Sequence, residues 1–440
     1  MTKDSMKKIV SLPAHTYVNT TPVCTMAGVQ LYLWDVVKAD LSARLNLGLY
    51  GGAGMGKSQL LADVQGLFGN NSSYVLGRND LDIKSLYRQL NFRKLSDAMN
   101  QGGTVSQREL TEVTSEIHKP LTVVEEINRC AEIVQNQLFN IFEGYIEMDG
   151  KKYPLGNDKT AKFRDVDGKE HSENVNYGVG VWSANFGNGG FSGTVGMDDA
   201  LKDRSHMIID VDNFSPGRLN ATDLDSILLG SAGEVRLKEQ EKPEDATSAF
   251  IDAFTYLKQK SKTPEPVEHG EELLLFRYLT LGLDYIPCEA ADNSKRAMKD
   301  VWPAKAEEDS IGVNEDEKTM YRMVYPSSVS GALSVMNLAR ALREYTKAKD
   351  PRAKPTVLES VIESFKLVAA YSGVIKNQQK LTEEYIGNPY KAACAITKII
   401  QEKLESRKNL MQAISYCKAE EKPLPKKVLD ECTGEFACWR

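Results

Sequence analysis

The stretch LNLGLYGGAGMGKSQLL, residues 45–61, decides the fold. Its centre, Gly51 to Ser58, matches the pattern Gly-x-x-x-x-Gly-Lys-Ser/Thr, in which backbone N–H groups surround a phosphate. The apolar run before the glycines predicts a buried strand, and the residues from Gln59 to Leu67 predict a helix. This order places N–H donors and the positive end of a helix dipole at one point. The alternative, a chance glycine-rich turn, is disfavoured because both flanking segments fit and a second motif follows.

The loop predicts a nucleotide site in which two side chains have separate roles. We expect Lys57 to reach the β- and γ-phosphates and Ser58 to hold Mg²⁺ through its hydroxyl. Contacts to the nucleotide are expected from nine consecutive residues, namely Gly51, Gly52, Ala53, Gly54, Met55, Gly56, Lys57, Ser58 and Gln59.

The second motif is PLTVVEEINR, residues 120–129. Its β-branched residues after a proline predict a buried parallel strand that ends in Glu125 and Glu126. Ligands of open parallel sheets lie at the carboxyl ends of the strands, so both carboxylates are expected beside the phosphates. Glu125 would then help to hold Mg²⁺, and Glu126 would polarise the attacking water. The alternative is a solvated acidic pair at a strand end, which the upstream loop makes less favoured.

The residues from this motif onward carry a resemblance to a known family. VVEEINRCAEIVQNQLFNIFEGYIEMDGKKYPLG, residues 123–156, resembles the Walker B strand and following helix of the MoxR-like AAA+ ATPases, members of the helix-2-insert clade. Within it, Tyr145–Met148 and Lys151–Leu155 flank Asp149-Gly150, which predicts a hairpin with a two-residue turn. The resemblance implies that this hairpin is the insert in the second core helix and faces a central pore or a partner.

The resemblance also implies roles for an amide and an arginine. The run 177–184 predicts another buried strand, and Asn185 follows it where the family has the sensor 1 residue that orients the attacking water. Arg129 matches a family position that can reach a nucleotide or a neighbouring subunit. The alternative for Arg129 is a surface salt bridge to Glu125 or Glu132.

A later stretch, MDDALKDR at residues 197–204, resembles the family segment that ends in the arginine finger. The resemblance implies that Arg204 enters the site of a neighbouring subunit. In GTPases an arginine finger is worth roughly 10³–10⁵ in rate. The alternative is an ion pair of Arg204 with Asp203 or Asp210. The last core strand is predicted over 208–212.

Two positions depart from the family pattern. Glu125 stands where the family has aspartate, and glutamate is one methylene longer. The segment PSSVSGAL, residues 326–333, lacks the sensor 2 arginine of the family's lid, and Arg340 and Arg343 lie further along the same predicted helix.

The predicted fold is α/β, with a P-loop AAA+ core whose parallel sheet is flanked by helices, and a C-terminal helical lid domain. The predicted regions are an N-terminal irregular lead-in (1–25), the core with its hairpin insert (26–215), the lid (216–375) and a helical extension with a tail (376–440). Helices are expected over Thr25–Leu41, Ile83–Met99, Gly331–Tyr345 and Val357–Val374, and twice within 384–416. Other expectations are a hairpin or loop over 157–176 around Asp167-Gly168, a linker over 261–269 and an acidic loop over 304–318.

Composition restricts the class of protein. The 440 residues are 41% hydrophobic and 26% charged, as in ordinary soluble globular proteins, and the formal net charge is −6. An acidic chain is poorly suited to coat DNA or to bind membranes through a basic patch. No apolar run approaches the roughly 18 residues of a membrane helix, and the N-terminus has no signal-peptide pattern. The seven cysteines are scattered without a C-x-x-C pair, so we expect no disulfides, no zinc site and a cytoplasmic location.

Three functions remain open. The first is an ATP- and Mg²⁺-dependent ring ATPase of MoxR type, expected as a hexamer, that remodels or activates a partner protein. The resemblance implies a von Willebrand factor A domain in that partner, which would be a separate chain because this one has no Asp-x-Ser-x-Ser motif. The second is a nucleotide-gated assembly scaffold with slow hydrolysis, favoured by the two departures. The third is a nucleic-acid motor, which the acidic charge and the lack of a DNA-reading domain disfavour.

Overall fold

The computed structural model describes residues 2–101, 110–164, 170–185, 202, 204–213, 219–231, 245–285, 320–375 and 378–440. The chain divides into two compact units. The first unit comprises 1–21, 44–205 and 209–255, and the second comprises 22–43, 206–208 and 256–440.

The strands are β1 Pro22–Met26, β2 Val29–Tyr32, β3 Leu47–Gly51, β4 Ser72–Leu76, β5 Arg88–Leu90, β6 Thr111–Val113, β7 Leu121–Glu125, β8 Tyr145–Met148, β9 Lys151–Pro154, β10 Asn157–Arg164, β11 Glu170–Tyr177, β12 Val179–Asn185 and β13 Met207–Asp210. The helices are α1 Thr2–Ser11, α2 Leu33–Ser42, α3 Lys57–Gly66, α4 Ile83–Leu86, α5 Phe92–Gln101, α6 Glu132–Phe142, α7 Ala221–Ser231, α8 Thr247–Lys262, α9 Pro266–Thr280, α10 Val329–Lys349, α11 Val357–Val368, α12 Gln378–Tyr385, α13 Pro389–Ser406, α14 Lys408–Ala419 and α15 Lys426–Glu431.

A five-stranded sheet among the described residues organises the nucleotide-binding part of the chain. Its strand order is β13-β3-β12-β7-β4, and β3, β12, β7 and β4 pair in parallel. The inner strands are almost wholly apolar and buried, as expected for a parallel sheet covered on both faces. Helices flank this sheet, and a helical C-terminal region follows, so the predicted fold class is confirmed.

The register of the sheet brings its functional ends together. Asn185 at the end of β12 pairs with Gly51 at the end of β3, and Glu125 at the end of β7 pairs with Leu76 on β4. The three strands that carry the predicted site therefore end at the same edge, as the sequence analysis expected.

Two predictions near the N-terminus were wrong. The lead-in contains a helix, α1, and the predicted helix from Thr25 begins only at Leu33. The residues before it form the antiparallel hairpin β1–β2, in which Ala27 and Gly28 adopt positive φ angles of 49° and 81°. This tight turn and the strand pairing that it allows replace the first two turns of the predicted helix.

The predicted helix over 83–99 was also wrong. It is split into α4 and α5 by β5, which pairs with β6. The hairpin β8–β9 is confirmed, yet it lies between the end of α6 and the start of β10, so it is not inserted within a helix. The second hairpin expected over 157–176 is confirmed as β10–β11, while its Asp167-Gly168 turn lies outside the described residues.

The second unit is mainly helical. Its α10, α11, α13 and α14 confirm the helices predicted there, and only three residues separate α8 from α9 where a longer linker was expected. The C-terminal residues are held within this unit, because Trp439 is fully buried and its Nε1 donates to the carbonyl of Leu274 at 2.9 Å. The predicted acidic loop lies outside the described residues. No helix among the described residues is long and apolar enough to cross a membrane.

Candidate nucleotide-binding site

The glycine-rich loop joins β3 to α3, as predicted. Gly54 and Gly56 have φ angles of 79° and 80°, a left-handed conformation that side chains with a Cβ rarely adopt. Lys57 folds back on the loop, and its Nζ donates to the carbonyls of Gly51 at 2.9 Å and Gly52 at 2.6 Å. Burial lowers the pKa of Lys57, while the neighbouring carboxylates act in the opposite direction. The lysine is thus held at the loop and can exchange two carbonyl partners for phosphate oxygens.

Glu125 lies directly opposite the loop. Its Oε1 accepts a short hydrogen bond from the hydroxyl of Ser58. Ser58 follows Lys57 in the first turn of α3. Its Oε2 accepts a hydrogen bond from the hydroxyl of Tyr74 on β4 at 2.5 Å. A carboxylate and a hydroxyl are oxygen ligands of the kind that Mg²⁺ prefers, so this pair fits a magnesium site.

The backbone of Glu126 leaves the extended conformation directly after the end of β7. Its backbone lies in the left-handed region with φ 55° and ψ 47°, which is uncommon outside glycine and occurs often at functional sites. Its Oε1 accepts from Nδ2 of Asn185 at 3.2 Å, and its Oε2 pairs with Nε of Arg129 at 2.9 Å. The backbone N–H donates to Ser183 Oγ at 3.2 Å. The backbone conformation and these three contacts fix the carboxylate beside Asn185.

Gly77 allows this arrangement. Its N–H donates to the carbonyl of Glu125 at 2.7 Å, and a Cβ at this position would lie 2.3 Å from the carbonyl oxygen of Glu126. A larger residue would force β4 away from the two glutamates.

Asn185 is fixed through its backbone as well as its side chain. Its carbonyl accepts from Nδ2 of Asn128 at 3.1 Å, and its N–H donates to Oδ1 of Asn128 at 3.4 Å. The amide of Asn185 is therefore aimed at Glu126 from the neighbouring strand. The structure thus brings together Lys57, Ser58, Glu125, Glu126 and Asn185.

The two predicted arginines make ion pairs within the chain. Arg204 pairs with Glu143, Nε to Oε1 at 2.7 Å, and lies over the ring of Phe139 at 4.2 Å. An intrachain ion pair was the alternative for Arg204, but the partner differs from both predicted ones, of which Asp203 lies outside the described residues. Arg129 pairs with Glu126 rather than with Glu125 or Glu132.

Three residues at the loop were missed by the sequence analysis. Tyr74 contacts Glu125, and Asp212 accepts the N–H of Gly52 at 3.0 and 3.1 Å. The ring of Tyr17 lies 3.4 Å from where a Cβ of Gly56 would stand. The contact of Tyr74 depends on the register of β4 against β7. The contact of Asp212 depends on where β13 ends, which is Asp210 rather than Asp212 as predicted. The sequence offered one signal for these contacts, namely Asp212 at the end of the run 208–212.

The second unit holds the arginines that follow the missing sensor position. Arg340 donates to Glu272 at 2.6 Å through Nη2, and Arg343 donates to the same carboxylate at 2.7 Å. Glu272 is buried, and these ion pairs outweigh its burial and lower its pKa. Both arginines therefore have a structural partner in their own unit.

Comparisons with known proteins agree with this geometry. Residues 46–161 match the family model of the AAA domain of the dynein-related subfamily. The fold is similar to that of a candidate ATPase from Cytophaga hutchinsonii, at 12% sequence identity and a TM-score of 0.53, over 90% of this chain and 94% of the other. No curated protein matches this chain by sequence. An AAA domain binds nucleotide, and the matched residues include the glycine-rich loop, Glu125 and Glu126. Residues 46–161 of the chain therefore contain an AAA domain, and this domain supports ATPase activity.

Proposed function

We propose that this chain is a ring-forming ATPase of MoxR type that hydrolyses ATP with Mg²⁺ to remodel or activate a partner protein. The observation that carries the proposal is the meeting of Lys57, Ser58, Glu125, Glu126 and Asn185 at the carboxyl ends of three adjacent strands.

The loop residues Gly51 to Gln59 bind the phosphates in this proposal. Lys57 leaves the carbonyls of Gly51 and Gly52 and donates to the β- and γ-phosphates. Ser58 and Glu125 would hold Mg²⁺, which supplies charge neutralisation at the β- and γ-phosphate oxygens.

Glu126 is the proposed base that orients and polarises the attacking water. Asn185 positions one carboxylate oxygen through its amide, and Arg129 holds the other. Because Arg129 is half exposed, its ion pair is weak and can yield when water and nucleotide enter. A base held in one orientation before the reaction lowers the entropic part of the barrier.

Arg204 is proposed to complete the site of a neighbouring subunit. Its ion pair with Glu143 is about one-third exposed on both sides, so the pair contributes little and can be exchanged. This requires a ring in which each subunit offers one face to the next, and a hexamer is the proposed size. The proposed partner is a separate chain with a von Willebrand factor A domain, on the resemblance alone.

A nucleotide-gated scaffold with slow hydrolysis is the second candidate. The observation that favours it is that Arg340 and Arg343 are both bound to Glu272 in the second unit. Neither is then free to respond to a γ-phosphate.

The test of the proposed function is Mg²⁺-dependent ATP turnover of the wild-type chain and of Glu126→Gln. We expect the variant to bind ATP with unchanged affinity and to turn over at least about tenfold more slowly, because the amide cannot accept the proton of water. Glu147→Gln, an exposed residue of β8, is the matched control and should keep wild-type turnover. Full activity of Glu126→Gln would reject the assignment, and turnover near zero in the assembled wild type would favour the scaffold.

A further inference from the structure

We propose that Tyr74 is a positioning residue that holds the carboxylate of Glu125 in the orientation needed for Mg²⁺ binding. The inference rests on the proposed function, because it assigns a second residue to the same metal site. Tyr74 lies on β4, outside both sequence motifs that carry that function.

The strand register brings Tyr74 to Glu125. On the parallel pair β4–β7, Tyr74 is level with Val123 and Leu76 is level with Glu125. Because side chains of a strand alternate between faces, Tyr74 and Glu125 point to the same side and are diagonal neighbours. A tyrosine is long enough to span this diagonal, and its hydroxyl lies 2.5 Å from Oε2.

The hydrogen bond from Tyr74 restricts a side-chain rotation that glutamate has and aspartate lacks. Glutamate carries one more rotatable bond, so an unrestrained Glu125 could turn its carboxylate away from Ser58. Tyr74 holds Oε2 while the hydroxyl of Ser58 holds Oε1. The two donors thus fix the carboxylate from opposite sides, next to the hydroxyl proposed as a metal ligand.

The phenol is suited to this role because it remains a donor. A tyrosine hydroxyl ordinarily loses its proton only at about pH 10. The hydroxyl therefore keeps its proton throughout the neutral range. Tyr74 is nearly half exposed, so most of its ring is not part of the core and Phe can replace it without leaving a cavity.

The experiment measures nucleotide affinity with Mg²⁺ and with EDTA, using a fluorescent ATP analogue and the full chain. For Tyr74→Phe we expect the gain in affinity that Mg²⁺ provides to fall about 3- to 10-fold, below the full value of a hydrogen bond to a charged group because the contact is partly solvated. Affinity in EDTA should be unchanged, and half-maximal turnover should require correspondingly more Mg²⁺. Tyr416→Phe is the matched control, since Tyr416 is an exposed tyrosine that hydrogen-bonds a glutamate in the second unit.

A second variant separates positioning from general stability. Aspartate at position 125 is too short to reach the tyrosine, so Tyr74→Phe should have no Mg²⁺-specific effect in a Glu125→Asp background. Equal losses with Mg²⁺ and with EDTA, or no loss in the single variant, would overturn the inference. Failure of the wild-type chain to bind or hydrolyse ATP would instead overturn the proposed function, so the two failures are distinguishable.

Discussion

Asp212 shows how a single residue can set the electrostatics of the phosphate loop. Its carboxylate accepts the N–H of Gly52 through both oxygens and lies close enough to Lys57 to influence the pKa of that amine. A negative charge at this place stabilises the loop while it holds no phosphate. It also opposes the negative charge that a nucleotide brings.

We predict that Asp212→Asn binds ATP about 3- to 10-fold more tightly than the wild type, because the amide keeps an acceptor for Gly52 without the charge. The gain should shrink as salt is added, since screening weakens the repulsion that the substitution removes. Calorimetric titration with ATP at two ionic strengths measures both effects, with Asp430→Asn on the exposed face of α15 as control. Unchanged or weaker binding would show that Asp212 supports the loop by shape rather than by charge.

At the scale of elements, the second unit contains an ion network whose strength depends on pH. Glu344 on α10 is buried and accepts from Tyr256 at 2.8 Å and from Lys260 at 2.6 Å, with Lys347 at 3.1 Å. Burial alone would raise the pKa of Glu344. The two lysines and the tyrosine outweigh burial and lower that pKa from 4.5 to about 2.

The sign of this shift fixes the pH dependence of stability. A carboxyl whose pKa is lowered on folding contributes its full stability above the unfolded value of 4.5 and loses it as pH falls toward 2. We predict that Glu344→Gln lowers the free energy of unfolding by about 1–3 kcal/mol at pH 7, less than the shift alone implies because both lysines are one-third exposed. Urea unfolding at several pH values measures this loss in the free energy of unfolding. Glu402→Gln on the exposed face of α13 is the control. A deficit that does not shrink between pH 4.5 and 2 would contradict the assigned cause.

The elements also show where sequence patterns suffice. Runs of β-branched and apolar residues were enough to locate β3, β7 and β12, because a strand buried on both faces can contain little else. The same patterns failed at Thr25 and at Arg88, where a tight turn or a distant pairing partner breaks an apparent helix. Such pairings lie outside the window in which helical periodicity is read, so tertiary contacts decide them.

At the scale of the molecule, the proximity of the candidate site residues could be predicted because they come from motifs whose positions a parallel sheet fixes. Glu125, Glu126 and Asn185 stand at or next to the ends of β7 and β12, and Lys57 and Ser58 begin the helix that follows β3. The topology of the sheet brings these places together. Tyr74 and Asp212 could not be predicted in the same way. Their contacts depend on one-residue differences in register and on where β13 stops, which no local pattern encodes.

The proposed role of Arg204 in a neighbouring site requires that subunits associate. If each active site needs Arg204 from a neighbour, turnover per subunit rises steeply as subunits associate, and the rise disappears in Arg204→Ala. Arg352→Ala is the matched control, because that arginine is almost wholly exposed in the second unit. A rate per subunit that does not change with protein concentration would leave Arg204 without a catalytic role in trans.

Mixing two inactive variants tests the direction of this contribution. A subunit with Arg204→Ala keeps Glu126, and a subunit with Glu126→Gln keeps Arg204, so a mixed ring contains some sites with both groups. If Arg204 acts in trans, equal mixing of freely exchanging subunits should restore about one quarter of wild-type turnover, since a working site needs its own Glu126 and a neighbour's Arg204. If Arg204 acts within its own subunit, no mixed site is complete and turnover stays at the level of the separate variants.

Because Arg204 is paired with Glu143 inside its own chain, a Glu143→Gln substitution added to the Glu126→Gln subunit should release the arginine without harming the rescue. Rescue that requires Glu143 would instead mean that the ion pair orients Arg204 toward its neighbour.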